Sequence, residues 1–545
     1  MNGKSRFDYV IAGGGSAGCV LAQRLSADPA LRVLLVEAGG RDRSPLISAP
    51  GGLLPIMLSG AYSWRYSSTP QRHLNDRVLY LPRGKVLGGG SSINGMVYDR
   101  GSARDFDRWS ELGNEGWSYA EVLPYFRRAE TYEPGANDFH GDDGPIHISR
   151  PQVKHPLARA FVEAGMQAGY PHNDDTNGAS REGFGPVDVT VSRGRRSSTS
   201  SACLRPVMNR PNLSVITGAH VTRILFEGQR AVGISYRKRG KEHMVRAERE
   251  VILSAGAINS PQILMLSGVG PADHLRANGI EPLLDLPGVG GNLQDHLAIT
   301  VKHRCLQPIS MFKYFSPLKG AAALGQYLLL RKGPLADPGM EAAGFVKSAS
   351  CEPEPDIKLL FVMALYRNHG REVIPEHGFY AHINCLRPES RGTVRLASAD
   401  PAAAPLIDQN YLAEPQDRRI MRRGVQIARE IFAQRAFDPY RGDEFEPGRA
   451  TLSDAEIDTF IRSHADADYH SVGTARMGQD MQAVVDGRLR VRGVEGLRIA
   501  DASIMPRIVG ANTNMAVIMI AEKAADMILN RPALPRTEPG LDHAA

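Results

Sequence analysis

The chain lacks any run of 18 apolar residues, so nothing in it is suited to span a bilayer. Cysteine is scarce: Cys19, Cys203, Cys305, Cys351 and Cys385 are scattered, odd in number and without metal-ligand spacing. That pattern excludes a disulfide framework, predicts no metal site, and points to reduced thiols in a cytoplasmic setting. No block of five or six like charges occurs. The densest basic pieces, "SRGRR" at 192–196 and "RRIMRR" at 418–423, read as solvated faces, and no nucleic-acid partner is expected. The opening "MNGKSRFDYVIAGGG" leaves no room for a signal peptide before a strand expected at about Phe7.

What is present suits a large globular protein. The 545 residues exceed one simple core and favour two or more domains. The chain is 42% hydrophobic and 23% charged, which argues against disorder, and its net charge of +6 is a mild excess. "AAALGQYLLLRKG" at 321–333 is apolar with a basic end; it reads as a buried helix, with peripheral membrane contact as the lesser reading.

"FDYVIAGGGSAGCVLAQRLS" reads as a strand, a glycine turn and a helix. Gly13, Gly15 and Gly18 have G-x-G-x-x-G spacing: the first permits a tight turn, the second lets the backbone approach a pyrophosphate, and the third lets helix and strand pack closely. The helix start then offers free amides to the phosphates. A second strand, "RVLLVEAG", ends in Glu37, where a carboxylate can accept both ribose hydroxyl protons. An adenine dinucleotide follows; NAD and FAD both remain open at this point, and Glu37 disfavours NADP.

A second glycine block, "RGKVLGGGSSINGMVYDRG" at 83–101, sets Gly88, Gly89 and Gly90 before Ser91, Ser92 and Asn94. NAD needs no such second platform, whereas a flavin does. Further along stand "GAINSPQILMLSGVG" at 256–270, "GVGGNLQDH" at 288–296, and a C-terminal run from "YHSVGTARMG" at 469–478 through "GANTNMAVIMIAEKAADMI". With these blocks in this order, essentially the whole chain resembles the glucose–methanol–choline flavoprotein oxidoreductases, closest to the choline-dehydrogenase-like and aliphatic-alcohol-dehydrogenase branch.

The resemblance implies an α/β (α+β overall) fold. A discontinuous Rossmann-like FAD domain would take 1–155, 196–300 and 462–545. A substrate domain with an antiparallel sheet flanked by helices would take 156–195 and 301–461. "LRIADASIMP" is consistent with a strand ending at Asp501, "NMAVIMIAEKAADMIL" with a helix, and "RGTVRLAS" with a strand. The implied cofactor contacts are Gly13, Gly15, Ser16, Ala17, Gly18, Glu37 and Ala38; Gly88, Gly89, Ser91, Asn94, Gly95, Met96 and Val97; Val221, Ala255, Gly256, Asp501 and Ala502; and the backbone of Asn512 and Thr513. Some family members bind FAD covalently through a histidine where this chain has Ile93, so the FAD is expected to be dissociable.

The resemblance assigns catalysis to His470 and Asn514, with Asn512, two residues earlier, as the rival of Asn514; His464 and His296, in nearby blocks, read as structural or supporting residues. Hydride leaves a carbinol carbon readily only as the hydroxyl proton departs. A neutral His470 can take that proton, an effect worth about 10²–10⁴-fold, and an asparagine amide can donate to the developing alkoxide. The small residues after His470 are expected to let the backbone lie against the flavin. The implied activity is FAD-dependent oxidation of a primary alcohol, polyol or sugar hydroxyl, with electrons passing to a quinone or other acceptor. The alternatives are an oxygen-using oxidase, or a lyase or photodecarboxylase of the same fold for which Cys385 is a conceivable residue. A choline cage would draw on Phe312, Tyr314, Phe315, Tyr327 and Glu341. The expected location is cytoplasmic, with at most peripheral contact at the inner membrane surface.

Overall fold

The computed structural model describes residues 6–451 and 453–539. Two sheets organise it. In the first, Leu213–Ile216, Val33–Val36, Arg6–Ala12 and the far end of Lys241–Leu253 run parallel, and Leu497–Ile499 joins alongside Lys241–Leu253. Parallel strands buried on both faces need continuous apolar runs, and "VLLV" at 33–36 is buried at every position. The near end of Lys241–Leu253 continues antiparallel into Arg230–Lys238 and Ala219–Glu227.

Helix Asn514–Ile528 is apolar nearly all round, as a central helix must be, and packs on helices Ser16–Leu25 and Tyr119–Ala129. Of the two carboxylates it buries, Glu522 is held by Arg24 and Arg128, each at 2.8 Å, and Asp526 by Arg128 at 2.7 Å. An unpaired carboxylate there would be costly.

The second sheet is antiparallel, in the order Arg441–Glu446, Leu297–Cys305, Gly378–Cys385, Ile357–Val362, Ala342–Val346, Gly183–Pro186. Helices Pro415–Phe432 and Pro156–Gln167 cover it. Phe161, Phe361, Phe379, Phe432 and Phe437 fill the space between, with the Phe161 and Phe361 rings stacked 4.7 Å apart. The sheet takes residues 297–300 and, through Asp466–Ala467, a piece of chain that the sequence reading puts in the nucleotide domain.

The strand expected in "RGTVRLAS" forms as Thr393–Arg395; it pairs with Leu406–Asp408 outside the main sheet, and Val394 also donates to the Gly290 carbonyl at 2.7 Å. Two other local expectations change. "RRIMRR" does lie partly on an outer face, where Arg422 pairs with Asp458 at 2.6 Å, but in "SRGRR" Arg196 is buried. Helix Pro317–Leu330 forms, yet it buries only Ala323 and Tyr327; apolar composition alone cannot say which side of a helix is covered.

Candidate active site

The two glycine blocks meet. Gly13 has φ +107°, and a Cβ there would lie 2.5 Å from the Ser254 carbonyl oxygen. A Cβ on Gly18 would lie 1.9 Å from the Gly13 carbonyl oxygen, so helix and strand touch there. Gly88 donates its N–H to the Gly14 carbonyl at 2.7 Å, and Gly89, at φ +52°, stands over Gly15. The Cβ side of Gly15, in contrast, has no protein atom closer than 3.9 Å and opens onto a cavity of about 490 Å³.

That cavity runs from the glycine turn to His470. Gly13, Gly15, Ser16, Ala17, Glu37, Ala38, Gly89, Asn94, Gly95, Met96, Val97, Val221, Ala255, Gly256, Asp501, Ala502, Asn512 and Thr513 line it, together with Asn514 and Ile93. Three expected contacts are not on its wall. Gly18 packs helix on strand, Gly88 forms the inter-block turn, and Ser91 bonds back to the Gly88 carbonyl at 2.7 Å and to Thr199 at 3.0 Å. These shape the wall from behind. Asn94 is set by buried Arg196, which donates to its backbone carbonyl at 2.6 Å and its side-chain carbonyl at 2.8 Å. Burial without a carboxylate partner brings the Arg196 guanidinium down to about 9.

The donors fit a flavin dinucleotide. Helices Ser16–Leu25 and Asn514–Ile528 both begin at the cavity, directing free amides and positive dipole ends at one place, as a pyrophosphate requires. Glu37 accepts from the Gly14 and Gly39 amides at 2.8 and 2.6 Å while keeping a face on the cavity. Burial pushes its carboxyl up to about 7 against those bonds.

At the other end, the histidine's neighbour is Asn512. The Asn512 amide nitrogen lies 3.0 Å from His470 Nε2, whereas Asn514 accepts the Ser16 hydroxyl at 2.7 Å, at the phosphate end. The pairing of His470 with Asn514 expected from the sequence is therefore replaced by His470 with Asn512. The reason is geometric: Asn514 is the first residue of its helix and turns back to the helix Ser16–Leu25, while Asn512 precedes the helix.

The surrounding bonds fix which ring nitrogen carries the proton. His296 Nε2 can only donate to the Leu386 carbonyl at 2.9 Å, and burial, reinforced by His470, brings that imidazole down to about 3. A neutral His296 then presents its Nδ1 lone pair to His470 Nδ1, 3.0 Å away. His470 must donate from Nδ1, to His296 and to Asp468 at 3.2 Å, leaving its Nε2 lone pair on the cavity side to accept from the Asn512 amide. Lys358 completes the arrangement. Its Nζ donates to the Asn512 Oδ1 at 2.6 Å and pairs with Asp99 at 3.1 Å, so the Asn512 amide nitrogen faces the histidine.

Electrostatics keep this state. Burial lowers the His470 pKa, Lys358 and Arg83 add to the effect, and Asp468 and Asp295 oppose it. Burial alone would raise Asp468, but His470 and His382 hold it well below the usual carboxylate range. Asp468 also accepts from His382 and Asn384, each at 3.0 Å. Asp295 accepts the His470 backbone N–H at 2.6 Å, and Arg83 donates to the Tyr469 carbonyl, which clamps Tyr469 at φ 66°.

The small residues after His470 have a different use from the one expected. Of Ser471, Val472, Gly473 and Thr474 only Ser471 reaches the cavity; a Cβ on Gly473 would strike the Asn292 carbonyl at 2.6 Å. They let two chain segments approach. Phe312, Tyr314, Phe315, Tyr327 and Glu341 are off the cavity wall, and Glu341 instead accepts the Lys154 and His155 amides at 2.9 Å. Cys385 is buried away from the cavity, and burial pushes its thiol well up. His464 packs on Phe460. Sequence reasoning missed Asp295, Asp468, Lys358 and Arg83; the signal available was a carboxylate beside each histidine in "QDH" and "DYH".

Residues 7–298 and 388–521 match the GMC oxidoreductase family. The chain is a GMC oxidoreductase. This GMC oxidoreductase is 48% identical to the mitochondrial choline dehydrogenase of Mus musculus, over 98% of this chain and 91% of that one. It is 46% identical to the oxygen-dependent choline dehydrogenase of Brucella ovis, over 97% of each. Its fold is similar to pyridoxine 4-oxidase from Mesorbium loti (TM-score 0.88, 32% identity, 96% of this chain and 100% of that one). It is also similar to a variant of Aspergillus oryzae formate oxidase (TM-score 0.90, 30% identity, 97% and 99%). As a GMC oxidoreductase it is an FAD enzyme that oxidises a CH–OH group.

Proposed function

We propose that the substrate is an uncharged primary alcohol, that His470 Nε2 takes its hydroxyl proton, and that oxygen receives the electrons. FAD, when bound, supplies the hydride acceptor. The observation that carries the reading is the facing pair of His470 Nε2 and the Asn512 amide nitrogen, 3.0 Å apart on the cavity wall. An alcohol oxygen settling beside the pair, within reach of both nitrogens, displaces the Asn512 N–H from Nε2, donates its proton to the ring and accepts from the amide, so charge developing on oxygen meets a fixed donor. The proton then leaves Nε2 positive while Asp468, at Nδ1, balances the imidazolium.

The lining favours an uncharged substrate. Lys85 already lies 4.1 Å from the centre of the Trp64 ring, and Arg371 lies 4.5 Å from that of Tyr80, so two of the cavity-lining Trp and Tyr rings, which also include Tyr380 and Tyr469, already have cations on them. Asp468, the carboxylate nearest the reacting pair on the cavity wall, is held by His382, Asn384 and His470. The names of the mouse and Brucella relatives favour choline as a second reading. Oxygen, the alternative acceptor in the sequence reading, is preferred here to a quinone: the pyridoxine and formate enzymes are oxidases by title and one relative is named as oxygen-dependent, which supports it. Ile93 on the wall offers no nucleophile to a flavin, which supports dissociable FAD. The test is hydrogen peroxide release with a panel of neutral alcohols and choline. Turnover with choline alone would refute the substrate class, and turnover only with a quinone or dye would refute the acceptor.

A further inference from the structure

Helix Pro317–Leu330 is amphipathic the wrong way round for a surface helix. It buries Ala323 and Tyr327, and the opposite side carries Leu318, Ala321, Ala322, Gly325, Leu328 and Leu329 with no charged residue among them. Leu318, Leu328 and Leu329 are 85%, 60% and 84% exposed. Apolar patches of this kind mark an interaction surface. Residues 306–336 contain Lys313, Lys319, Arg331 and Lys332 and no acidic residue. The turn Pro334–Ala336 that follows the helix packs on Pro50–Gly52, in a neighbouring segment that exposes Leu46 and Leu58 as well. Among the described residues no helix is long and apolar enough to cross a membrane.

We infer that this face is a docking surface for an anionic lipid bilayer: the helix, roughly 21 Å long at about 1.5 Å per residue, lies along the membrane plane with its leucines among the acyl chains. The lysines at its start and end then sit at headgroup level, where opposite charge adds to apolar burial. Charge complementarity favours lipid over a second copy of the chain, which would set four cations against four more around the patch. The surface also adjoins the cavity. Leu335 abuts Gly51, the chain continues into Met340 on the cavity wall, and Leu53, Ile56 and Met57 line the same wall.

The experiment is vesicle flotation of the FAD-loaded enzyme with phosphatidylcholine alone or mixed with phosphatidylglycerol. Wild type is expected to float with the anionic vesicles. The triple variant Leu318→Glu, Leu328→Glu, Leu329→Glu should bind at least about tenfold less while keeping its FAD and its activity on a water-soluble alcohol. Lys319→Gln with Lys332→Gln should weaken binding to anionic vesicles only. The inference is overturned if wild type ignores both kinds of vesicle. It is equally overturned if wild type is a dimer without vesicle affinity and the triple variant is a monomer, since a second copy would then cover the patch.

Discussion

Replacing Asn512 by alanine tests the reacting pair at its most specific point. The substitution removes the amide that faces His470 Nε2 at 3.0 Å and leaves Lys358 with Asp99 as its remaining charged partner. Losing one fixed donor to a developing oxyanion costs about 10²–10³-fold in rate. Asn512→Ala should therefore slow anaerobic flavin reduction at saturating alcohol by that factor, with FAD content unchanged. Asn514→Ala is the matched control. It removes the acceptor of the Ser16 hydroxyl, a bond worth about 1 kcal/mol, at the phosphate end of the cavity. Its effect should be an FAD dissociation constant raised by about fivefold, with the reduction rate kept. Stopped-flow absorbance gives the rate and released FAD gives the affinity. If Asn514→Ala slows reduction a hundredfold and Asn512→Ala does not, the pairing drawn from the geometry is wrong.

Lys358→Met should cut the reduction rate by about tenfold, a typical cost for one charge-assisted hydrogen bond, because nothing then holds the Asn512 amide nitrogen toward His470; Lys358→Gln keeps a donor and should recover most of the rate. The rate of flavin reduction should hold above the His470 pKa and fall as pH drops through it, because only the neutral ring accepts the proton. Burial lowers that pKa, so the falling limb should lie below the ordinary imidazole range. Both Lys358 variants should move the limb upward by removing a cation from the set that also includes Arg83, Asp468 and Asp295. Gly15→Ala should leave the melting temperature of the FAD-free protein nearly unchanged, since no protein atom lies closer than 3.9 Å, yet weaken FAD binding by at least about tenfold. Gly18→Ala, 1.9 Å from the Gly13 carbonyl, should destabilise the fold instead, seen as a lower melting temperature.

The parts legible in the sequence are those with local causes. Gly13 and Gly18 answer to steric limits within one turn and one helix, and Glu37 ends a strand whose burial is visible in four consecutive apolar residues. His470 was recognisable from its block. Asn514 is taken for the catalytic residue in place of Asn512, because two residues at a helix start point to different parts of the site and the spacing in "NTN" does not say where the helix begins. For the substrate sheet the resemblance gives the two pieces of chain, 156–195 and 301–461, but not which strands pair. Gly183–Pro186 pairs with Ala342–Val346, and a choice of partner across that distance is made by packing rather than by local pattern. The same holds for Lys358, whose neighbours Asp99 and Asn512 come from the opposite ends of the chain.

On the proposed mechanism, His470 of this GMC oxidoreductase takes a proton from a carbinol as the flavin is reduced. The direct measurement is the visible flavin absorbance of wild type and His470→Ala after anaerobic mixing with neutral primary alcohols. Wild type should bleach and regain colour, with hydrogen peroxide, when air is admitted, whereas His470→Ala should keep its FAD and bleach at least about 10²-fold more slowly. Equal bleaching rates in the two proteins would contradict the account.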